Sequence, residues 1–544
     1  MGWRRRPSAR RRGLGRLKRL GTLWGDSSSQ YVEKSPRILR PSTDCPATRV
    51  LSSGITMRMT RPFLLLLLMS GLLFFFGLGN HELQGSTESR VAGIAMEMHL
   101  TQDWVTPHLL GEPFLEKPPL SLWLDASAIQ LFGGTPLAVR LASAFAGLFT
   151  VLALFAFLRK IGRPTVLAWT AAAMLATMAS YLGNARQVGE DALLSLGVTL
   201  ALLAFFRATE QAAQGNRTRG AWCVFVLGIA ISTLSKGVLG LALPGVVIFI
   251  YLVSQSLIDR RFTLGNWLRP ALFTTLGLIP LLIWLALLYQ RGGLQAIGEV
   301  LWANSVGRFS GSFTSAGHYE PFHYYLAKLP EAFLPWNLLV YLGLWTLRKR
   351  LVANRHLLFA TVWILAQFTM LTLASSKRMV YLMSMAPAAA IIAAEYAVVI
   401  LEWLRRRSAT SPFSAKLVKH RRPLAVGLMG LVVCAYLVLA TLESRIDLKS
   451  SFKPLTDQII ELQAHGKQVA LFQPEERLAS TVFYTRRQQQ VLMTEAELTA
   501  FLAASPDNVV IVDQNLKIPT PPAPVKVLSS ITIGGKRLYH FYGQ

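Results

Sequence analysis

The sequence predicts an α-helical polytopic membrane protein that ends in a small soluble α/β domain. Three observations carry this. The 544 residues are 52% hydrophobic with a mean hydropathy of +0.39, too apolar for an ordinary soluble chain. The apolar residues are gathered into runs, such as 137–158 and 188–206, that approach or exceed the roughly 18 residues needed to span a bilayer. After about residue 443 the character changes, and short β-rich runs alternate with helical patterns.

Residues 1–56 come first, as a basic tail rich in Ser, Pro and Arg, with Arg triplets beginning at Arg4 and Arg10 and no apolar period. Much of the net charge of +27 lies here, so the charge does not make the chain a nucleic-acid binder. The tail reads as disordered and absent from the mature protein, because MRMTRPFLLLLLMSGLLFFFGLG, from Met57 or Met59, looks like a natural start. Binding polyanions and folding on membrane lipid are the other readings. Cys45, Cys223 and Cys434 are scattered and imply neither a disulfide framework nor a metal cluster.

The region 57–442 carries about eleven predicted spans, near 61–79, 136–158, 165–183, 188–207, 221–235, 238–256, 270–290, 332–347, 357–374, 379–402 and 423–442. A further pair of short spans, for thirteen in all, would not change which side the chain's end faces. Alternate loops carry Arg159, Lys160 and Arg163; Arg207, Arg217 and Arg219; Arg260, Arg261 and Arg269; Arg348, Lys349, Arg350 and Arg355; and the cluster from Arg405 to Arg422. Basic loops stay in the cytoplasm during insertion, so the other set faces the periplasm or exterior. That set holds the long first loop 80–135, the turn 181–190, Ser235 and Lys236, the segment 291–330, and residues 375–378.

The first loop is too long for a simple connection. Its ESRVAGIAMEMHL (88–100) puts Val91, Ile94, Ala95 and Met98 on one helical face, and 120–131 forms a second apolar segment too short to span. Both read as helices lying along the membrane surface. In the C-terminal domain, 443–544, the runs 468–472, 480–485, 489–493 and 508–513 read as strands, with helices at LTDQIIELQAHG and TEAELTAFLAA. By parity this domain lies on the far side of the membrane.

Polar residues gather in these far-side loops. Glu88, Arg90, Glu116 and Lys117 project into the first loop's layer, where snorkelling at an interface is the bland alternative. Asp191 opens an apolar helix, where it would also complement the helix N-terminus. His318, Glu320 and His323 are metal-ligand types, and equally hydrogen-bonded structural residues; Tyr324, Tyr325 and Trp336 also fit an aromatic belt. Lys377 and Arg378 oppose the positive-inside rule, and cations retained on the wrong side need an anionic partner. Phosphate is the natural one at a membrane surface.

The ordered set ESRVAGIAMEM, QDWVTPHLLGEPFLEKPPLSLWL, LFGGTPLAVRL, Asp191, LSKG (234–237), the segment 318–336 and SSKRMVYLMSMAP (375–387) resembles the GT-C membrane glycosyltransferases. The likeness is greatest to the branch with the protein O-mannosyltransferases and the lipid A aminoarabinose transferase, and covers about Arg61 to Tyr396. The resemblance implies inverting transfer of a sugar from a polyprenyl-phosphate donor to a lipid or glycan acceptor at the periplasmic face of a bacterial inner membrane. It implies that Arg90, Lys117, Lys377, Arg378 and Tyr381 hold the donor phosphate, that Asp191, Glu88 and Lys117 are catalytic, and that Glu116 and His318 suit a divalent metal such as Zn, Mg or Mn. Thr87 departs from the family, whose first loop opens with Asp-Glu; Thr still caps a helix but is no base at neutral pH. A lipid-linked solute transporter or flippase would instead show charges within the spans and a repeat, and an inactive binding relative is the third reading.

Overall fold

The computed structural model describes residues 48–312, 318–446, 451–516, 525–533 and 537–544. The expected basic tail lies outside the described residues as far as residue 47. Its last part, 48–56, belongs to the first helix, α1 (Thr48–Phe75).

The first loop folds as α2 (Gly85–Thr101) and α3 (Leu120–Phe132), close to the two expected segments. Then follow α4 (Pro136–Lys160), α5 (Thr165–Ala176), α6 (Ala179–Ala185), α7 (Asp191–Ala213), α8 (Arg219–Asp259) and α9 (Leu264–Gly298). A π-helix over Glu299–Gly307 comes next, and the later helices include Asn337–Leu347, Arg355–Leu373, Ala386–Arg407 and Arg421–Ile446. The start of α4 follows from its sequence: Thr135 accepts a hydrogen bond from the Ala138 amide at 3.3 Å, and Pro136 sits where its missing N–H costs nothing.

Among the described residues seven helices are long and apolar enough to cross a membrane, or eight if α5 and α6, bent by 64°, form one span. The expected count of eleven is higher for physical reasons. Asn337–Leu347 has only 11 residues. The two spans expected at 221–235 and 238–256 are counted as the one helix α8, yet they are its two arms, on either side of a backbone that is non-helical at Lys236 and Gly237. A straight helix would separate residues 232 and 240 by about 12 Å, yet a Cβ on Gly240 would overlap the Ser232 carbonyl. The chain therefore folds back on itself, with Lys236 at the tip and Gly237 supplying φ +52°. Gly197 of α7 and Gly228 of α8 let these two backbones touch, as small residues do between membrane helices.

The C-terminal region holds a five-stranded sheet of β1 (Gln468–Phe472), β2 (Gln490–Leu492), β3 (Asn508–Asp513), β4 (Lys526–Ile533) and β5 (Arg537–Gly543), in the order β2-β1-β3-β5-β4. β2, β1 and β3 are parallel; β5 and β4 join antiparallel. The expected strand at 480–485 is instead a helix, Ala479–Thr485. Its Ala479, Val482 and Phe483 are buried in one core with Val91, Ile94 and Met98 of α2 and Leu471, Val509 and Ile511 of the sheet. Tertiary packing overrides the β preference of its Thr, Val, Phe and Tyr.

That packing also changes the reading of α2. One buried face was expected, but every residue from Val91 to Met98 is buried. Gly93 sits so close to Ala479 that a Cβ would overlap its carbonyl. Tyr484 completes the junction, donating to Glu82 Oε2 at 2.7 Å and accepting from the Leu83 amide at 2.9 Å.

Candidate active site

The first loop, the α8 tip, the π-helix and the segment around residues 370–381 meet around a cavity of about 310 Å³. Glu116, Lys117 and Pro118 of the first loop line it, with Lys236 at the α8 tip, Asn304 of the π-helix, Ser376 and Tyr381. Val238, Leu239, Ala242, Met370, Leu371 and Ala374 give it apolar walls.

The loop that presents Glu116 and Lys117 is fixed from behind. Glu97 of α2 accepts the Leu110 and Gly111 amides at 2.6 and 3.0 Å, closing the turn before it. Trp123 donates to the Trp104 carbonyl at 2.7 Å, and Trp284 to the Val105 carbonyl at 3.0 Å. Pro118 and Pro119 then limit the backbone just ahead of α3.

The lining residues Lys117 and Lys236 meet at Glu190, which the sequence reading passed over. It is buried, and its Oε1 lies 2.5 Å from Lys117 Nζ and 3.3 Å from Lys236 Nζ. Burial pushes its carboxyl up, but the Lys117 and Lys236 ammonium groups outweigh that and hold it well below the usual carboxylate range. Lys236, also missed as a site residue, further pairs with Asp191 and stands over the Tyr381 ring at 4.5 Å. The acidic pair Glu190-Asp191 heading an apolar helix, and a Lys-Gly between two apolar runs, were the available signals.

Arg90 and Glu116 adjoin this group. The Arg90 guanidinium is 3.8 Å from Glu116 Oε2, donates to Glu476 Oε2 at 2.7 Å, and lies 5.3 Å from the Phe114 ring centre. Its buried Nε–H has no acceptor among the described residues. Arg378 donates to Thr87 Oγ1 at 3.2 Å, and its backbone exchanges hydrogen bonds with the Tyr325 hydroxyl. Lys377 is buried and donates from Nζ to the Glu320 carbonyl at 3.0 Å. Arg90, Lys117, Lys236, Lys377 and Arg378 against Glu116, Glu190, Asp191 and Glu476 leave one positive charge in excess.

Two expected residues are placed otherwise. Glu88 is buried and fully engaged: Arg140 grips both oxygens at 2.9 and 2.7 Å, and the Gln84 and Val188 amides each donate at 2.9 Å. Arg140 also donates to the carbonyls of Leu78, His81 and Glu82. This is a brace between the first loop, α4 and the turn before α7, and it leaves Glu88 no free lone pair for a base. Nor does Thr87 cap α2; the N-cap is Gln84, and Glu88 reaches back to its amide. His318 is exposed on the 318–377 junction, where its carbonyl accepts from the Lys377 amide at 2.8 Å and its own amide donates to Ser376 Oγ.

Glu116 and His318 are the pair expected at a divalent metal. No group of three or more His, Cys, Asp or Glu able to hold an ion occurs among the described residues, and Glu116 faces the Arg90 cation.

A second buried carboxylate, Asp125 of α3, was not singled out from the sequence. Its Oδ2 has no hydrogen-bond partner among the described residues. Burial, aided by the Glu190 charge, pushes its carboxyl well above the usual range.

Residues 78–290 match the family described as dolichyl-phosphate-mannose-protein mannosyltransferase. The undecaprenyl phosphate-α-4-amino-4-deoxy-L-arabinose arabinosyl transferase of Pseudomonas aeruginosa is 29% identical over 322 residues, 59% of this chain and 56% of the relative. The enzyme of the same description from Aeromonas hydrophila is 29% identical over 336 residues, 59% of this chain and 58% of the relative. The matches thus span little more than half the length of these relatives. Among solved structures, ArnT from Cupriavidus metallidurans bound to undecaprenyl phosphate superposes with a TM-score of 0.68 at 19% identity, covering 88% of this chain and 97% of that one. The Archaeoglobus fulgidus oligosaccharyltransferase gives a TM-score of 0.54 at 13% identity, covering 83% of this chain and 69% of that one. The chain is a multi-pass membrane protein that shares its fold with ArnT and the archaeal oligosaccharyltransferase.

Proposed function

We propose that the protein transfers a sugar from a polyprenyl-phosphate carrier to an acceptor, a lipid A-like glycolipid or another envelope molecule, on the periplasmic face of a bacterial inner membrane. The observation that carries this is the cavity itself. Lys117, Lys236 and Tyr381 stand beside walls of Val238, Leu239, Ala242 and Leu371, so a phosphate would meet cations while its prenyl chain meets hydrocarbon. A soluble phosphate would gain nothing from those walls.

In the proposed reaction an acceptor hydroxyl attacks the sugar's anomeric carbon, the bond from that carbon to the phosphate oxygen breaks, and the carrier leaves as the polyprenyl phosphate. Lys117 and Lys236, with Arg90 and Arg378, stabilise the charge that develops on the leaving phosphate. Asp191, held by Lys236, is the carboxylate proposed to take the acceptor proton, with inversion at the anomeric carbon. The relatives' donor, undecaprenyl phosphate-α-4-amino-4-deoxy-L-arabinose, is the first donor to test. The Lys/Arg bias of alternate loops supports the periplasmic orientation of the site and the C-terminal domain.

Protein hydroxyls are the second acceptor class, favoured by the mannosyltransferase family match. Purified protein incubated with donor and with lipid A or an acceptor peptide, read by mass spectrometry, decides between them. Carrier binding without transfer to any acceptor would instead make it a lipid-binding or transporting relative.

A further inference from the structure

Among the described residues, a charge chain links the C-terminal domain to the cavity. Glu476, just before the buried helix Ala479–Thr485, accepts from Arg90 Nη1 at 2.7 Å, and the same nitrogen lies 3.8 Å from Glu116 Oε2. Glu116 precedes Lys117, which lines the cavity and lies 2.5 Å from Glu190. Arg90 is thus shared between a carboxylate of the soluble domain and a carboxylate of the site. With one carboxylate removed, a guanidinium pairs bidentately with the one that remains. Without Glu476, Arg90 would close onto Glu116 and draw the Glu116-Lys117 pair with it, because the following prolines leave that loop little freedom to adjust.

We propose that Glu476 is a positioning residue: the C-terminal domain sets the carrier-phosphate site by holding Arg90 away from Glu116. This rests on the reading of Arg90 and Lys117 as phosphate-binding groups. The domain is then part of the catalytic unit, and undocking it would switch phosphate affinity without touching a residue that contacts the lipid. The junction has a second tie, Tyr484 to Glu82 and Leu83, that lies outside the charge chain and serves as its control.

The test uses the full chain in lipid nanodiscs, with undecaprenyl phosphate as the probe and thermal unfolding measured in parallel. Glu476→Gln is expected to weaken probe binding about three- to fivefold, the modest size reflecting a half-exposed carboxylate. Glu476→Asp should recover most of the affinity. Tyr484→Phe should lower the unfolding temperature and leave binding unchanged. Wild-type affinity in Glu476→Gln alongside weak binding in Arg90→Ala overturns the positioning role and leaves the phosphate site standing. Wild-type affinity in both overturns the positioning role and the site reading together. Equal losses in Glu476→Gln and Tyr484→Phe would show general undocking and also overturn the positioning role.

Discussion

Two buried charge clusters lie on either side of the Val188–Asp191 turn, and they differ in one respect. Around Glu88 and Arg140 every strong donor and acceptor is matched: two guanidinium contacts and two amides on the carboxylate, three carbonyls on the guanidinium. Around Lys117, Glu190, Lys236 and Asp191 the charges border a cavity, the cations are in excess once their neighbours are included, and Arg90 keeps a donor with no acceptor among the described residues. Buried charge alone does not mark a site. A saturated cluster fixes the fold, and an incompletely matched one beside a cavity is ready for a ligand.

The largest expected effect breaks the saturated cluster. Glu88→Ala leaves Arg140 buried without its partner and should cost about 3–5 kcal/mol, seen as lost folded yield in detergent. A stable Glu88→Ala protein that had lost only turnover would return Glu88 to the catalytic group. Lys117→Ala should do the reverse, weakening transition-state stabilisation about 100-fold or more while the protein still folds. Matching unfolding curves and a collapse in turnover would sharpen the contrast, and unchanged turnover would remove Lys117 from the site.

Smaller effects test the edges of the comparison. Asp125 has its carboxyl raised by burial, so the folded state holds that proton more tightly than the unfolded chain. Its contribution is therefore full at low pH and is lost as pH rises toward the raised value, at up to about 1.4 kcal/mol per pH unit. Asp125→Asn should flatten that decline in unfolding temperature against pH. A slope equal to wild type would show that Asp125 does not titrate there. Thr87→Asp gives the Arg378 guanidinium a carboxylate in place of a hydroxyl and should stabilise by at most about 1 kcal/mol; a drop in stability would mean that the extra charge is poorly matched beside Glu88.

Much of the site was legible because its chemistry lies in short segments. Glu116-Lys117 locked by prolines, Asp191 at a helix start and the misplaced cations Lys377 and Arg378 stand out against apolar flanks. Glu190 and Lys236 were visible in the same way and were passed over, because a residue next to a stronger candidate, or in a two-residue turn, carries no periodic signal. Arg140 and Asp125 sit inside helical runs, where nothing in the spacing distinguishes a buried charge from a surface one. Their partners, Glu88 and the Glu190 field, are supplied by other segments.

The sequence by itself determined what depends on local order and on solvent. It determined the membrane class, the two first-loop helices and most of the C-terminal elements, because apolar runs and turn residues act over a few neighbours. Tertiary structure alone decided which carboxylate is spent on a brace and which faces the cavity, and that Lys236 lies at the tip of a folded-back α8. It also decided that 480–485 is a helix packed on α2, and that a glutamate of the last domain holds an arginine of the first loop. Each depends on groups far apart in the chain meeting in a buried place, where the full set of partners, and not the residue's own type, fixes what a charge can do.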